Sequence, residues 1–356
     1  MVANLRLDDV ILNYDPEAPQ ARFRTLQAAS ESRGARLPRP VPWPHSPPMA
    51  TALQPAPQPT DSLARFAGYD AIVMTWTAAE AAALAALFTP NYPVSDWYEY
   101  RYGVSEYIPL VTGGNAPFND NQPDMARYYH TLGLYFPCTI GKAKVLLFKS
   151  GLHFAYDGPK TPLKNLVTEL VTTIKPRVLV TTGTAGGIGR NTALGDVVIG
   201  PKVRFDCTTQ FKSESWADAS YPASAIPAGA LAEITASLLK VNSVNLPASP
   251  VPNIWHGTDD LVVTTDFFGF DDSTDYYKLE GLGRVCEMGD AMVAQALQSS
   301  PKVQWYSIRN ASDPQIQNPN NNIEEAKQQA GEIYTKYGAF TTAGSVIATW
   351  AVLSSL

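Results

Sequence analysis

Residues 178–189 read VLVTTGTAGGIG, and this stretch decides how the rest of the chain is interpreted. The apolar run predicts a buried strand that ends at residues 181–182 and continues into glycines. Gly183, Gly186 and Gly187 allow the backbone to turn tightly and to approach a ligand. No Gly-Lys-Ser/Thr follows, which excludes a P-loop, and the glycine spacing does not match the dinucleotide-binding fingerprint. A plain strand and turn is the alternative for this segment taken alone.

The segments on either side alternate between strand and helix patterns. Strands are predicted in YDAIVMTW, KAKVLLFKSG, LGDVVIGPKVRFD, DDLVVTTDFF and VQWYSIRNASD. Helices are predicted in TAAEAAALAALF, TPLKNLVTELVTTI, GDAMVAQALQSS and a long segment from Glu324 to Leu353, with a break expected near Gly338. This alternation indicates an α/β fold with a mainly parallel sheet and helices on both faces.

The first of these helices carries its own start signal. Thr77 stands where a cap is needed, and Glu80 follows three residues later, as in the S/T-x-x-E capping box. The capping box alone is a sufficient structural reason for Glu80. A function for its carboxylate therefore needs independent support.

The chain before the first predicted strand shows no motif of known chemistry. Prolines recur through residues 38–59, in PRPVPWPHSPPM and PAPQPTD. They exclude a helix interior or a central strand and indicate an extended connector. Further upstream, the pattern allows a strand at residues 10–12 and a short helix at residues 19–32. We divide the chain into an N-terminal extension, residues 1–67, and a catalytic domain, residues 68–356.

Composition limits the kind of partner. The chain has 356 residues and a formal net charge of −6, so neither nucleic acid nor an anionic membrane is attracted in general, and a small-molecule partner is expected.

Three cysteines, far apart and without CxxC spacing, indicate neither a disulfide framework nor a zinc site. No cofactor is expected. The N-terminus carries acidic residues where a signal peptide has an apolar core, and no segment approaches the ~20 apolar residues of a membrane helix, so a cytoplasmic location is expected.

Acidic residues follow two further segments, at the edge where parallel sheets bind ligands. In IRNASDPQI, Ser312 and Asp313 come directly after a buried strand. A partly dry pocket there can raise the pKa of a carboxyl group and make it a general acid, although a turn or a helix cap is the alternative for Asp313. In VCEMGDAMVAQAL, Glu287 and Asp290 are expected to share one face at a helix start, where the helix dipole alone would explain them.

In their order along the chain, these segments resemble the nucleoside phosphorylase and nucleosidase superfamily, which includes purine nucleoside phosphorylase and methylthioadenosine/S-adenosylhomocysteine nucleosidase. TTGTAGG followed by LGDVVI is similar to that family's most distinctive stretch. TTDFF, CEMGDAMVAQAL and IRNASD are similar to its base-stacking segment, its E-M-E helix and its Ser-Asp strand end, and IVMTWTAAE to its first strand. The resemblance covers residues 69–353 and implies a three-layer α/β/α fold that cleaves the N-glycosidic bond of a purine nucleoside.

The resemblance also implies roles for residues around the base. Asp313 corresponds to the aspartate that protonates or hydrogen-bonds purine N7, and Ser312 would orient it. Phe268 corresponds to the aromatic residue that stacks on the base, and the backbone of Gly269 would read the purine edge.

Around the sugar, Met288 corresponds to the methionine under the ribose. Glu80 corresponds to the glutamate that activates the attacking water in the hydrolytic branch of the family. Four further residues are expected to bind the substrate near the ribose or the nucleophile, namely Thr182, Gly183, Glu287 and Asp290.

Two branches of the family differ in their use of phosphate. Phosphorylases place an arginine next to the glycine segment, whereas no arginine stands just before Gly183, and Arg190 lies beyond the glycines. We therefore expect hydrolysis, with phosphorolysis as the alternative. The histidines do not decide the question, since ordinary polar or core positions are expected for His130, His153 and His256.

One position departs from the family pattern. The second glutamate of E-M-E holds the ribose hydroxyls in the family, but the chain has Gly289 there. Asp290 stands one residue further on, a rotation of about 100° on a helix, and is not equivalent. The departure leaves two alternatives open, a nucleoside with a modified sugar or a protein that binds nucleosides without turnover.

Family members also often complete their pocket with a neighbouring subunit, so the resemblance implies a homo-oligomer. The aromatic loop between Tyr92 and Tyr107 is a candidate for that subunit surface or for a lid, with simple loop packing as the alternative.

Overall fold

The computed structural model describes residues 40–112, 131–240 and 251–356. Thirteen strands of these residues join one sheet. They are β1 (Met49–Ala50), β2 (Ala71–Thr75), β3 (Tyr98–Tyr100), β4 (Gly133–Ile140), β5 (Ala143–Ser150), β6 (Val178–Gly187), β7 (Val197–Gly200), β8 (Lys202–Asp206), β9 (Ser220–Pro222), β10 (Ile254–Trp255), β11 (Val262–Thr265), β12 (Val285–Glu287) and β13 (Gln304–Asp313).

Seven α-helices lie in the described residues. They are α1 (Ala78–Phe88), α2 (Val104–Tyr107), α3 (Pro162–Ile174), α4 (Ala228–Glu233), α5 (Ala236–Leu239), α6 (Asp290–Leu297) and α7 (Ile323–Ser354). Short 3-10 turns occur at Leu63–Phe66, Val94–Asp96 and Ile108–Leu110.

The middle of the sheet is parallel. Strands β5, β2, β6 and β13 lie side by side in one direction, and β8, β11 and β12 form a second parallel group. Antiparallel pairs join β12 to β6 and β13 to β7, and also form the edges at β1, β3, β4 and β9. Every residue of β2 and β6 is buried, which is why both strands read as continuous rather than alternating apolar runs. The predicted α/β class with a mixed sheet is confirmed.

Two apolar cores lie on the two faces of this sheet. Ile72 and Met74 of β2 pack into the core that contains α3 and α6. Ala71 and Val73, which alternate with them, pack into the core that contains α1 and α7. Successive side chains of a strand point to opposite faces, so the alternation along one strand shows three layers. The three-layer α/β/α arrangement is therefore confirmed.

The segment LGDVVIGPKVRFD forms two strands, and the prediction of one continuous strand is wrong. β7 ends at Gly200 and β8 begins at Lys202. Pro201 stands between them and cannot donate a ladder hydrogen bond. The two strands consequently pair with different neighbours, β7 with β13 and β10, and β8 with β11 and β9.

Two other predictions of secondary structure are corrected. The helix break expected near Gly338 is absent, since α7 runs unbroken for 32 residues; one glycine weakens a helix by only about 1 kcal/mol, which tertiary packing offsets. GLYFPCTI, which was given no element, forms β4 and pairs antiparallel with β5 across a tight turn at Gly141 (φ 60°).

The described part of the N-terminal extension packs on the rest of the chain. β1 pairs with β4, and Trp350 of α7 donates a hydrogen bond from its indole N–H to the carbonyl of Ser46 (3.0 Å). Trp43 lies against the same indole with ring centroids 4.9 Å apart. The strand at residues 10–12 and the helix at residues 19–32 lie outside the described residues.

The aromatic loop packs against its own chain. Tyr92 stacks on Phe136 of β4 with centroids 4.8 Å apart, and Trp97 is buried and donates to the Thr89 hydroxyl (3.2 Å). Tyr102 is the large side chain of this loop that stays exposed, at 46%. These contacts favour the simple-packing interpretation for most of the loop.

Within the described ranges, none of the helices combines the length and the apolar character needed to cross a membrane.

Candidate active site

Glu80 lies in the first turn of α1, and its carboxylate receives donors from two sides. Oε2 accepts hydrogen bonds from the Thr75 hydroxyl (2.7 Å) and from the backbone N–H groups of Trp76 (2.9 Å) and Thr77 (2.8 Å). Oε1 accepts from the backbone N–H (2.7 Å) and the hydroxyl (2.8 Å) of Thr184 on β6. The predicted capping box is present. The same carboxylate therefore starts a helix and reaches the glycine segment.

Gly183 makes room for that carboxylate. Its φ of +152° is unfavourable for residues with a side chain, and an added Cβ would lie 2.2 Å from Glu80 Oε1. Glycine is thus required here for two independent reasons. The segment that resembled a ligand-binding turn brings its backbone against a carboxylate of the protein itself.

The environment of Glu80 keeps it ionised. Burial alone would raise its pKa, but Arg309, whose Nη1 lies 3.7 Å from Oε1, and the donors at Thr75, Trp76 and Thr77 hold the pKa below its ordinary value. Hydrogen bonds to the charged form of a carboxyl group act in this direction.

Arg309 of β13 is a buried cation, 2% exposed, and is absent from the residues predicted above. Its Nε donates to Asp290 Oδ2 (3.0 Å), and its Nη2 donates to Asp290 Oδ1. Glu287 Oε2 lies 3.4 Å from Nη2, and Glu80 completes the ring of carboxylates. Burial would lower the pKa of Arg309, but Asp290 and Glu287 raise it above the ordinary value. The guanidinium is charged and its donors are largely engaged.

Glu287 and Asp290 do not share a helical face, which corrects the prediction. Glu287 is the last residue of β12, and Asp290 is the first residue of α6. The Glu287 carboxylate accepts the backbone N–H of Asp290 (3.0 Å to each oxygen) and the hydroxyl of Thr264. Burial and the nearby Asp290 raise the pKa of Glu287 to about 8. Asp290, 0% exposed, is directed at Arg309 and the Ser307 hydroxyl.

Asp313 ends β13 beside a β-bulge. The register between β13 and β6 shifts between Ala311 and Asp313, so Ser312 is the extra residue. Bulges re-aim side chains next to active sites. The Ser312 hydroxyl donates to Asp313 Oδ1 (2.9 Å), which fits its predicted orienting role. Burial raises the pKa of Asp313 to about 7, and that hydrogen bond only partly opposes the shift.

The surroundings of Asp313 come from three strands. A Cβ added to Gly186 would lie 3.2 Å from Asp313 Oδ2, 3.2 Å from Cys286 Sγ and 3.4 Å from the carbonyl of Gly269. Cys286 donates to that carbonyl (3.3 Å) and fixes the loop that follows β11. Phe268, next to Gly269, is a large apolar side chain with 37% exposure. An exposed aromatic ring offers an apolar face on which a planar ligand can stack.

A second wall lies near Glu80. The Tyr156 hydroxyl is 3.9 Å from Met288 Sδ, and the Tyr156 ring stacks on His153 with centroids 4.4 Å apart. Burial lowers the pKa of His153 to about 4, and Glu80 and Arg309 act on it electrostatically. His153 is therefore neutral and lies close to the charged cluster, rather than in an ordinary core position.

Among the described residues, three others considered in the sequence form no hydrogen bond with the charged groups above. Thr182 is buried, and its hydroxyl has no hydrogen-bond partner within the described part of the chain. Arg190 and His256 are exposed. His130 lies outside the described residues.

Arg309 could have been found from the sequence. It stands four residues before Asp313 in a segment of buried apolar residues, and a charged side chain in such a strand is buried only when it is paired. The partners themselves depend on the register of β13 against β6 and on where α6 begins, which no local pattern gives.

Residues 113–339 match the family model described as the phosphorylase superfamily. The chain belongs to the phosphorylase superfamily. The matched range contains β6, the loop after β11, the β12–α6 junction and the end of β13, whereas Glu80 lies upstream of it. In this member of the superfamily, Glu80 is thus connected to the matched segments by its contacts with Thr184 and Gly183.

Solved structures share the fold at low sequence identity. A 5′-methylthioadenosine/S-adenosylhomocysteine nucleosidase from Neisseria meningitidis, in complex with methylthio-immucillin-A, is 15% identical with a TM-score of 0.50, over 81% of this chain and 100% of that chain. The futalosine hydrolase of Helicobacter pylori is 14% identical with a TM-score of 0.48, over 81% of this chain and 98% of that chain. No protein with curated annotation matches the chain.

Proposed function

We propose that this protein hydrolyses the N-glycosidic bond of a purine nucleoside. The observation that carries the proposal is a pair of carboxyl groups along β6, Glu80 against Gly183 and Asp313 against Gly186. Burial raises the pKa of Tyr334, and Glu80 and Asp313 both raise it further, so both carboxyl groups lie within electrostatic reach of this one side chain. The environments push the two pKa values apart, Glu80 downward and Asp313 up to about 7. Such a pair supports one base and one acid in the same pocket.

The reaction balances with water as the second substrate. Asp313 gives its proton to purine N7 while the bond between C1′ and N9 breaks, and the bonding electron pair leaves with the base. The water oxygen bonds to C1′, and Glu80 accepts the proton that this water releases. The products are a free purine and a free sugar, and solvent returns the proton from Glu80 to Asp313. Protonation of the leaving group and nearby negative charge both stabilise an oxocarbenium-like transition state.

Other residues support this chemistry by position. Phe268 serves as the platform for the base, and the Gly269 backbone lies at the purine edge. Met288, Thr182 and Gly183 lie toward the sugar and the nucleophile.

The charge distribution favours water over phosphate. Arg309 lies beside the glycine segment in space, but Asp290 and Glu287 occupy its donors. A phosphate dianion would have to replace buried carboxylates, and leaving those unpaired is costly. One observation keeps phosphorolysis as the second candidate, since Lys149 is a further buried cation that acts electrostatically on His153.

We also propose that the protein works as a homo-oligomer in the cytoplasm and without a cofactor. In the described ranges, no group of three or more histidine, cysteine, aspartate or glutamate side chains is placed to hold a metal ion. The charge of the whole chain suits neither nucleic acid nor an anionic membrane as a partner.

The test is release of free base from adenosine, inosine, guanosine and 5′-methylthioadenosine, with and without phosphate, followed by chromatography. Release without phosphate, with free sugar as the second product, is the expected result. A strict phosphate requirement with a sugar 1-phosphate product would replace hydrolysis by phosphorolysis. Tight binding without any product over a long incubation would mean a nucleoside-binding protein and would overturn the proposal.

A further inference from the structure

Gly289 and Trp76 form a matched pair at the junction of β12 and α6. A Cβ added to Gly289 would lie 3.1 Å from Trp76 Cζ2 and 3.2 Å from Cε2. These distances are shorter than ordinary van der Waals contact. The indole ring occupies the space that a side chain at position 289 would need.

Trp76 is bound through its backbone and contacted at its ring. Its backbone N–H donates to Glu80 Oε2 (2.9 Å), and the Arg309 guanidinium lies 5.0 Å from the ring centroid. The side chain is 4% exposed. Trp76 is thus fixed between the proposed water activator and the buried cation, within the proposed sugar side of the pocket.

The edge of the Trp76 ring that faces Gly289 includes the indole N–H, which is the polar group of this side chain. Cε2 is bonded to Nε1, so the indole N–H lies on the same edge as the atoms nearest Gly289. Within the described residues, Nε1 has no hydrogen-bond partner. This place therefore offers one N–H donor and an apolar edge, where a carboxylate at position 289 would offer two acceptors.

The neighbouring carboxylates are already used by the protein. Glu287 accepts from Thr264 and from the backbone of Asp290. Asp290 is bound by Arg309 and Ser307. Neither of these two carboxylates is thus left to accept hydrogen bonds from the two neighbouring hydroxyls of a ribose.

We propose that the sugar subsite of this protein does not require the ribose 2′-hydroxyl and that purine 2′-deoxynucleosides are its better substrates. The inference rests on the proposed function. A ribose hydroxyl that enters this subsite leaves water without gaining the carboxylate acceptor that a glutamate at position 289 would supply, whereas a deoxy sugar loses nothing there. A site that forms hydrogen bonds with a substrate hydroxyl rejects the analogue without that hydroxyl by about 10⁴-fold or more, because its own polar groups are then left unpaired. Position 289 has no polar side chain, so it gives no such reason to reject a 2′-deoxynucleoside.

The experiment compares kcat/KM for base release from three pairs, adenosine, inosine and guanosine against their 2′-deoxy forms. The wild type is compared with Trp76→Ala and with the double variant Trp76→Ala/Gly289→Glu, which differ only in the new carboxylate. The glycosidic bond of a deoxynucleoside is intrinsically more labile than that of a ribonucleoside. This difference is the same for every protein, so it cancels when the deoxy-to-ribo ratios of two proteins are compared.

The expected result is a wild-type ratio above one for the pair that is turned over. In the double variant, the deoxy-to-ribo ratio of kcat/KM falls by about tenfold or more relative to Trp76→Ala, because one hydrogen bond from a ribose hydroxyl to a charged carboxylate has an effect of this size. A wild-type preference for ribonucleosides above a hundredfold would overturn the proposal, as would equal ratios in the two variants. Circular dichroism checks folding. If the double variant does not fold, calorimetric Kd values for the same pairs, measured on the slow variant Asp313→Asn, decide instead, because binding does not depend on the lability of the glycosidic bond.

Failure of the proposed function gives a different result. If no base is released with or without phosphate, calorimetric Kd values for the same pairs replace kcat/KM. Tighter binding of the deoxy form would support the subsite in a non-catalytic protein. Tighter binding of the ribo form, or binding of neither, would overturn it.

Discussion

Glu80 and Asp313 contact the same strand three residues apart, yet the protein surrounds them in opposite ways. Glu80 receives five hydrogen bonds and a guanidinium. Asp313 receives one hydroxyl, from Ser312, and is otherwise buried beside Gly186 and Cys286. Both groups are buried, so the Arg309 charge and the additional donors at Glu80 account for the opposite directions of the two pKa shifts. The comparison shows that two buried carboxyl groups beside one strand have pKa values shifted in opposite directions, as the proposed base and acid require.

The largest expected loss of activity comes from a substitution of Glu80, the carboxylate with many hydrogen-bond donors. Glu80→Gln replaces an acceptor oxygen with an NH₂ group, which cannot take a proton from water. We expect base release to fall by about 10³-fold, within the range of general base catalysis. Steady-state kinetics measures the rate, and a thermal melt records the stability lost with the capping box.

Glu169→Gln is the matched control for this variant. Glu169 accepts hydrogen bonds from Tyr100 and Tyr107 outside the site. We expect lower stability with an unchanged rate. A Glu80→Gln protein that retains activity within tenfold of wild type would show that Glu80 is only a helix cap.

The next largest loss of activity is expected from a substitution of Asp313, the carboxyl group with a single donor. Asp313→Asn keeps the shape of the side chain and removes the proton that goes to the base. We expect a folded protein whose rate falls by about 10²-fold or more. Asp206→Asn serves as the control, because burial also raises the pKa of Asp206. Equal rates for Asp313→Asn and Asp206→Asn would contradict the assignment.

The pH dependence sharpens the comparison. Because Asp313 acts in its protonated form and has a pKa of about 7, kcat/KM should fall about tenfold per pH unit above that value. The Ser312 hydroxyl favours the ionised form, so Ser312→Ala should move the inflection to higher pH. An inflection that stays in place in Ser312→Ala would remove the link between this hydrogen bond and the acid.

Linkage gives the corresponding signs for stability. Asp313 has a raised pKa in the folded protein, so its contribution to stability is present at low pH and is lost as the pH rises toward 7. Glu80 has a lowered pKa, so its contribution is present above its ordinary pKa and is lost on acidification.

The smallest expected effect concerns the base platform. Phe268→Ala removes a ring whose stacking on a base is worth about 1–3 kcal/mol, so KM should rise roughly tenfold while kcat changes less. Tyr276→Ala is a control on a more exposed aromatic residue, at 53% against 37% for Phe268. A fall in kcat without a change in KM would contradict a platform role.

The sequence was sufficient where the deciding signal is local. Continuous apolar runs predicted β2 and the start of β6, and Thr77 with Glu80 predicted the capping box, since each signal lies within one element. The end expected for β6 at residues 181–182 is wrong, because the strand continues through the glycines to Gly187. The position of Asp313 at the end of a strand was also predicted from a local pattern. The division at Pro201 shows the limit, because a single apolar stretch does not reveal two sets of neighbours.

The remaining features of the site depend on contacts between distant segments. The three carboxylates around Arg309 come from α1, β12 and α6. The contact of Trp76 with Gly289 joins the end of β2 to the start of α6. The sequence showed that Gly289 departs from the family pattern, but the ring that fills its place is visible only in the fold.

The most direct test of the central claim is a titration of the aspartate carboxyl groups by NMR, using protein labelled with carbon-13 at the aspartate γ-carbon. Comparison of the wild type with Asp313→Asn identifies the resonance of Asp313. We expect this resonance to titrate with a midpoint near pH 7. A midpoint near the ordinary aspartate value of about 4 would exclude Asp313 as the acid, because its carboxyl group would then be ionised at neutral pH.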